Sequence, residues 1–594
     1  MPLSPEQITE CLKVLESLLE HREELLEIDL PTRKRLLEVA GRLAQPDRTE
    51  QRYLARASRK KKRRDVKAAD EALLSRAGIR RKRLEPVFIT PEPRALADAG
   101  GGVHEANGAE TRAEDDQRAA PRDAETLGRE RELPTEPVNL LPDLGPTQET
   151  SAVHETSGVH ETRDVFATLT ATARPTVEDD GERLRDARVC YVCKQPRDRV
   201  HFFYDQLCVE CGDFNYAKRS QTADLRGRTA LISGARIKIG YQAAILLLRA
   251  GARVVVTTRF PRDAARRYAT ERDYAEWRHR LAIYGLDLRH TPSVEAFARH
   301  FAEREARLDF MLHNACQTVR RPAGFYGHLM DGELGPLETV PEAARSLLAD
   351  HEALTASRRR LASGAGASAS RAVGVRAPDA ASPAGEHEPS PVGLAASAAL
   401  SQLELLPEDR DKSEIIFPRG ELDQDQQQID RRGINSWRLA LDEVGSVELL
   451  EVQLVNSIAP FVLNARLKAL MLRERTFDKH IVNVSAMEGQ FYRRFKTDKH
   501  PHTNMAKAAL NMMTRTSAPD YAKDGIFMNS VDTGWVTDED PAHIAARKTA
   551  ENGFHPPLDI VDGAARIVDP IFDGINTGRH VWGQFLKDYR PTAW

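Results

Sequence analysis

Four cysteines carry the plainest chemical signal in this chain. Cys190 and Cys193, then Cys208 and Cys211, form two C-x2-C knuckles with fourteen residues between them. A two-residue gap lets both thiolates of one knuckle reach a single ion. Two knuckles together supply a closed tetrahedral set, the structural arrangement for Zn2+. The competing chemistry is a pair of redox dithiols. Between the knuckles lies His201-Phe202-Phe203-Tyr204, an aromatic patch expected to pack beside the metal. The other two cysteines, Cys11 and Cys316, are isolated.

A second signal is a run from Ser233-Gly234 to Gly240 (SGARIKIG) that follows a short apolar stretch and precedes an apolar helical pattern. Glycine permits the tight turn, and the helix that follows offers free N–H groups and the positive end of its dipole to a pyrophosphate. Further along come Gly285-Leu286-Asp287-Leu288, His313-Asn314-Ala315-Cys316, Asn483-Val484-Ser485, Met505-Ala506-Lys507 and the run Val531 to Thr537 (VDTGWVT). Each sits at the end of an apolar run or opens a helical one.

The elements that must position these residues follow from periodicity. Residues 228–233, 252–258, 308–313, 479–485 and 526–531 read as short buried strands, separated by helical patterns. That alternation predicts an α/β fold, a doubly wound Rossmann-like parallel sheet. Residues 184–222 form the zinc-ribbon-like module that precedes it, and 223–594 form the sheet domain, with an insertion at about 320–440. Within that insertion, 355–401 is rich in Ala, Ser, Gly and Pro and reads as disordered. Residues 415–437 beyond it are either a lid over the site or a surface excursion. Residues 1–85 read as helical: Ser4-Pro5-Glu6-Gln7 is a capping box with Pro at the first helical position. This region carries two basic clusters, Arg59 to Arg64 and Arg80 to Arg83, which are a solvated helix face or a surface for a phosphate backbone or an acidic protein. Residues 86–183 lose apolar and aromatic content and read as a disordered linker, in which Val-His-Glu recurs at Val103, Val153 and Val159.

The balance of 86 Lys+Arg against 89 Asp+Glu, a net charge of −3, excludes a uniformly basic nucleic-acid coat and a uniformly acidic tail. A mean hydropathy of −0.50 is polar for a chain packed throughout, in keeping with the low-complexity tracts. No run approaches the ~20 apolar residues that span a bilayer, and the first residues lack a basic-then-apolar leader pattern, so a cytoplasmic protein with no membrane partner is expected.

Taken in order, these motifs resemble the short-chain dehydrogenase/reductase family from about Leu225 to the C-terminus. The resemblance implies a Rossmann-like sheet that binds NAD(P) and transfers hydride between the nicotinamide and a carbonyl or alcohol of a small-molecule substrate. A homo-oligomer is a further expectation. By this resemblance Gly234 and Gly240 belong to the glycine-rich turn, Asp287 with Leu288 to the adenine contact, and Asn314 with Ala315 to the fourth-strand motif. Asn456 matches the proton-relay Asn, Ser485 the substrate-orienting Ser, and Lys507 the Lys that holds the nicotinamide ribose. Gly534 and Thr537 lie in the loop after the sixth strand on the cofactor side. Three positions depart from the pattern: the turn's middle Gly is Lys238, the last Gly of the fourth-strand motif is Cys316, and the catalytic Tyr is Thr503, four residues before Lys507. A Thr hydroxyl titrates far above a phenol, so little turnover of simple aldehydes and ketones is expected. Tyr492 and His502 are the nearby alternative donors. Arg259 at the end of the second strand, with Arg262, Arg236 and Lys238, complements a 2′-phosphate and favours NADP over NAD. The rival reading is a scaffold that senses NADP(H) without turnover and engages a partner through the zinc module or the basic helices.

Overall fold

The computed structural model describes residues 4–92, 183–356, 392–493 and 496–594. Most of the linker, with its Val-His-Glu repeats, and the centre of the low-complexity insertion lie outside the described residues.

The N-terminal helices begin where their caps dictate. Ser4 and Gln7 close the capping box that starts α1 (Pro5–Glu20). Asp29 caps α2 (Leu30–Ala44), and Asp47 with Glu50 caps α3 (Arg48–Ser75). Neither α1 nor α2 has a buried residue, and the apolar stripes read from their spacing remain in solvent: Leu12 is 51% and Leu43 77% exposed. Only the C-terminal end of α3 is anchored. There Leu74 is buried, and Asp70 accepts the backbone N–H groups of Arg185 and Asp186 at 2.8 and 3.2 Å.

The four-cysteine module is a hairpin of β1 (Arg188–Val189) and β2 (Pro196–Arg197) followed by α4 (Val209–Lys218). Behind it comes an eight-stranded sheet: β3 (Thr229–Ser233), β4 (Arg253–Thr258), β5 (Leu281–Gly285), β6 (Phe310–His313), β7 (Lys479–Ser485), β8 (Ile526–Asp532), β9 (Phe585–Lys587) and β10 (Arg590–Thr592). The strand order is β10-β9-β8-β7-β6-β3-β4-β5, parallel throughout except for the β9/β10 edge pair. All but two residues of β3 to β8 are buried, which is why these strands read as continuous apolar runs rather than alternating ones.

The chain winds outward from β3 to β5 and then returns to β6 on β3's other side. A switch point therefore opens between β3 and β6 at the C-terminal ends of the strands, where such sheets bind ligands. Helices α5 (Lys238–Arg249) and α9 (Ile560–Thr577) cover one face. Helices α6 (Thr291–Arg304), α7 (Ser446–Met471) and α8 (Pro501–Lys523) cover the other. Helix α7 is long and apolar enough by length and composition to cross a bilayer. Here Leu463, Leu467 and Met471 instead pack into the core on the sheet. A π-helical turn at Leu454–Ile458 interrupts it at Asn456.

The low-complexity reading of 355–401 needs correcting at both ends. Thr355 is buried within a helix, and residues 392–402 fold back onto the sheet edge. Gly393 accepts from Asp287 N–H at 3.0 Å and donates to Ser293 Oγ at 2.8 Å, and Leu394 is buried. Small residues suit this edge because a Cβ on Gly393 would fall 2.8 Å from Ser293 Oγ. The linker boundary shifts likewise: Phe88 N–H donates to Gln424 O at 2.9 Å, and Thr90 Oγ1 bonds Glu271 at 2.7 Å.

Candidate active site and metal centre

The turn after β3 is locked to the end of β6. Gly234 has φ +70°, and a Cβ there would lie 2.7 Å from Ala315 Cα. Its carbonyl accepts from Asn314 Nδ2 at 2.9 Å, while Ser233 Oγ accepts from Ala315 N–H at 3.2 Å. At Gly240 a Cβ would meet Asn314 Nδ2 at 2.3 Å, so glycine is required. Helix α5 starts at Lys238 with no side-chain cap, leaving its first N–H groups free at the floor of a cleft of ≈ 360 Å³. Lys238 stands where the family turn carries glycine and adopts φ +56°, a left-handed conformation that costs a non-glycine residue about 1–2 kcal/mol. Its Nζ lies 3.8 Å from Asp425 of the insertion.

The cationic side chains differ in how far they are committed. Arg236 is buried and paired with Asp263 at 2.6 Å. Burial pulls its pKa down, although Asp263 opposes this. Arg262 donates to Gly335 O. Arg259 lines the cleft and donates to Tyr326 OH at 2.6 Å, with its guanidinium 4.7 Å from the centre of that ring. No carboxylate forms an ion pair with Arg259 among the described residues. Tyr326, contributed by the insertion, thus holds the guanidinium at the cleft, where its charge also helps lower the Asp287 pKa.

Asp287, with the adjoining Leu288, also lines the cleft, but its carboxylate is engaged. Arg289 donates to it from Nη2 at 2.7 Å and from its own N–H at 2.9 Å, then reaches Glu451 at 2.8 Å. Burial works against ionisation of Asp287, but the Arg289 guanidinium outweighs it and holds the carboxyl below the usual range.

On α8, Lys507 is buried and donates from Nζ to Val484 O at 2.7 Å, beside Ser485; neither residue is among those that line the cleft. Ser485 Oγ is buried without a hydrogen-bond partner among the described residues. Thr503, one helical turn before Lys507, donates from Oγ1 to His500 O at 2.9 Å and lies 3.0 Å from His500 Nδ1. His500 has φ +43°, and its ring stacks on Trp437 of the insertion with centroids 3.8 Å apart. Burial lowers its pKa to about 4, so the imidazole is neutral. Tyr492 is 98% exposed and touches none of these groups. His502 is buried, with Nε2 3.5 Å from Glu448. Asn456 is not drawn to Lys507; its amide is committed to the backbone of Gln317, at 2.7 and 3.1 Å.

Gly234, Gly240, Asn314 and Ala315 therefore come together, whereas Lys507 reaches the backbone beside Ser485 and Thr503 turns to His500 instead. Gly534 and Thr537 form the loop after β8, and Thr537 lines the cleft. Residues 415–437 pack over the site rather than away from it: Gln427 lines the cleft, and Asn435 Nδ2 donates to Glu539 O at 2.9 Å. Arg289, Gln317, Tyr326, Trp437 and His500 were not singled out from sequence. Their partners lie far away in the chain or, for Arg289, in an unremarkable two-residue spacing.

The sulfurs of Cys190, Cys193, Cys208 and Cys211 all lie within 4.8 Å of one another. Tetrahedral Zn–S bonds of about 2.3 Å require sulfurs at roughly this spacing, so the set fits one ion. Cys208 N–H donates to Cys190 Sγ at 3.3 Å. A hydrogen bond from the Cys211 thiol, aided by backbone N–H groups, lowers the Cys190 pKa. The same bond and burial push Cys211 up, and burial pushes Cys208 up, so the cluster concentrates its negative charge on Cys190. The module is clamped to α9 by Arg219, which bonds Asp559 at 2.6 and 2.9 Å and Asp562 at 2.9 Å.

Residues 228–326 match the family model described as short chain dehydrogenase. An uncharacterized protein of Acanthamoeba polyphaga mimivirus, R665, is 30% identical over 398 residues, covering 65% of this chain and 71% of that protein. Dehydrogenase/reductase SDR family member 13 of Bos taurus is 39% identical over 104 residues, which is 17% of this chain and 27% of that protein. The chain thus spans about a quarter of that dehydrogenase's length. Among solved structures, a Pseudomonas aeruginosa RhlG/NADP active-site complex is 16% identical, with 61% of this chain and 95% of that one covered, at a TM-score of 0.36.

Proposed function

This chain belongs to the short-chain dehydrogenase/reductase family, and from that premise we propose that it is an NADP(H)-dependent oxidoreductase acting on a carbonyl or alcohol. The observation that carries the cofactor choice is Arg259: a guanidinium at the end of β4, unpaired with any described carboxylate and oriented by Tyr326. An acidic residue there would instead accept from a ribose 2′-OH and repel a 2′-phosphate. Gly234, Asn314 and the free N–H groups at the start of α5 would cradle the pyrophosphate, and Lys507 would hold the nicotinamide ribose. When bound, the nicotinamide supplies or accepts the hydride. Ser485, with its unpartnered hydroxyl, would orient the substrate oxygen.

The zinc assignment belongs to the same reading: Cys190, Cys193, Cys208 and Cys211 hold one structural Zn2+ in a reducing, cytoplasmic setting. A second reading, cofactor binding without turnover, is favoured by one observation. Thr503 has no phenol to offer, and its hydroxyl is committed to His500. Titration with NADPH and NADH, followed by a search for substrate-dependent loss of NADPH absorbance, separates the two. Binding with no turnover across carbonyl classes supports the second reading. Failure to bind either nucleotide rejects both.

A further inference from the structure

The four-cysteine module and the cofactor cleft meet at one side chain, Tyr191. It follows the first metal-ligating cysteine directly. Its backbone N–H donates to Gln206 O at 2.8 Å, tying the first knuckle to the second. Its hydroxyl accepts from the backbone N–H of Trp535 at 3.0 Å, in the loop after β8. Trp535 Nε1 in turn donates to Thr537 O at 3.0 Å, which fixes the loop as far as the residue that lines the cleft. The same loop is held from below: Asp532 accepts from Gly534 N–H at 2.8 Å and from Lys587 Nζ at 3.2 Å, and that ammonium lies 5.6 Å from the centre of the Tyr191 ring. Cys190, Val536 and Leu558 share one apolar cluster, so module and loop are packed together as well as bonded.

We propose that Tyr191 is a positioning residue through which the metal-loaded cysteine module sets the conformation of the Gly534–Thr537 loop, and thereby the affinity of the cleft for NADP(H). The inference rests on the cofactor reading above for its binding consequence, but not for its structural one. Metal would fix both knuckles, and Tyr191, flanked by ligands and bonded to both knuckles, would pass that rigidity to Trp535. Without metal, the knuckle strand that carries Tyr191 loses its tether, and the loop loses an acceptor for a backbone N–H.

The test uses the full chain, with Tyr191→Phe beside zinc-stripped wild type. Three quantities are read: zinc content, amide hydrogen exchange across 534–537, and NADPH affinity. Tyr191→Phe removes only the hydroxyl, so zinc content should stay at the wild-type value while exchange at Trp535 accelerates. NADPH binding should weaken by about 3- to 10-fold, the range expected for one net hydrogen bond. Zinc-stripped protein should reproduce the same exchange pattern with a larger loss of affinity. Wild-type exchange and wild-type affinity in both samples would overturn the proposal, as would zinc loss in Tyr191→Phe itself. If wild type binds no NADPH while Trp535 exchange still responds to both changes, the coupling stands and the cofactor reading falls.

Discussion

Asn456 grips Gln317 by both of its backbone groups: Oδ1 accepts the Gln317 N–H at 2.7 Å, and Nδ2 donates to its carbonyl at 3.1 Å. The side chain is 1% exposed and stands on the π-turn of α7, so the extra residue of that turn aims the amide at the segment after β6. The resemblance to the family implied a proton relay here, and this geometry gives Asn456 a prior duty of holding the cleft wall. Asn456→Ala should lower stability by about 2 kcal/mol, because it leaves two backbone groups unpaired next to the core. A urea unfolding midpoint within error of wild type would contradict that role.

Arg259→Ala isolates cofactor choice. A charge-assisted contact to a 2′-phosphate is worth about 1.5–3 kcal/mol, so NADPH should bind about 10- to 100-fold more weakly while NADH affinity stays near wild type. Tyr326→Phe should have a smaller effect in the same direction, since it frees the guanidinium without removing it. Equal losses for both nucleotides would place Arg259 away from the 2′ position.

The sheet was legible because its strands are buried on both faces. Lys479–Ser485 and the run from Ile526 carry adjacent apolar residues, Ile481-Val482 and Ile526-Phe527-Met528, rather than strict alternation for that reason, and the turn chemistry at Gly234 and Gly240 follows from sequence alone. The edge strands Phe585–Lys587 and Arg590–Thr592 were not legible, being only three residues each. The insertion was opaque for a different reason. It is held by long-range Arg–carboxylate pairs, Arg320 with Asp409 at 2.7 Å and Arg321 with Asp430, and such pairs leave no periodic trace. Local composition also misled at 392–402, where Ala, Gly and Ser serve close packing rather than disorder. Asp287 was legible as a cleft residue, but its capture by Arg289 was not.

The metal prediction is stoichiometric. Purified protein should contain about one zinc per chain, since four thiolates complete one tetrahedral site. Cys190→Ser should abolish that zinc and destabilise the interface with α9, whereas Cys316→Ser, at an exposed and isolated position, should leave zinc unchanged. Finding the four cysteines oxidised to disulfides in protein taken from cells would reject the metal site.

Acid should unfold this protein earlier than its carboxylates alone would suggest. Burial depresses His313 to about 4 and His480 to about 3, against an ordinary 6.5. In the unfolded chain both take up protons as pH falls through 6.5, while the folded chain resists until 4 or below. Stability is therefore intact above 6.5 and drains away between 6.5 and about 3, by on the order of 1–2 kcal/mol per histidine at pH 5. Burial raises Glu333 to about 7 and Asp569 to about 6, which acts in the opposite direction. The histidines are therefore isolated by comparing the change in urea midpoint between pH 7.5 and pH 5.0 in wild type with that in His313→Gln and His480→Gln. An identical change in all three would mean that neither histidine is buried neutral.

Thr503 carries the last prediction. Its hydroxyl is spent on His500, and the His500 ring, stacked on Trp437, fills space beside the position where the family carries a phenol. Native protein should therefore reduce simple aldehydes and ketones only slowly. Thr503→Tyr alone should not repair this, because a phenol at a residue 4% exposed must first displace the imidazole. Adding His500→Gly makes the room and removes the strain of a left-handed non-glycine residue at φ +43°. The double variant should gain turnover, up to the ~10²–10⁴-fold that a positioned acid–base group contributes. Lys507→Ala should erase that gain, since Lys507 lies on the same helical face one turn away and its ammonium is what lowers the phenol's pKa. If native protein already turns over generic carbonyls at ordinary rates, and Lys507→Ala does not slow it, the proton donor lies elsewhere and Thr503 marks no missing acid.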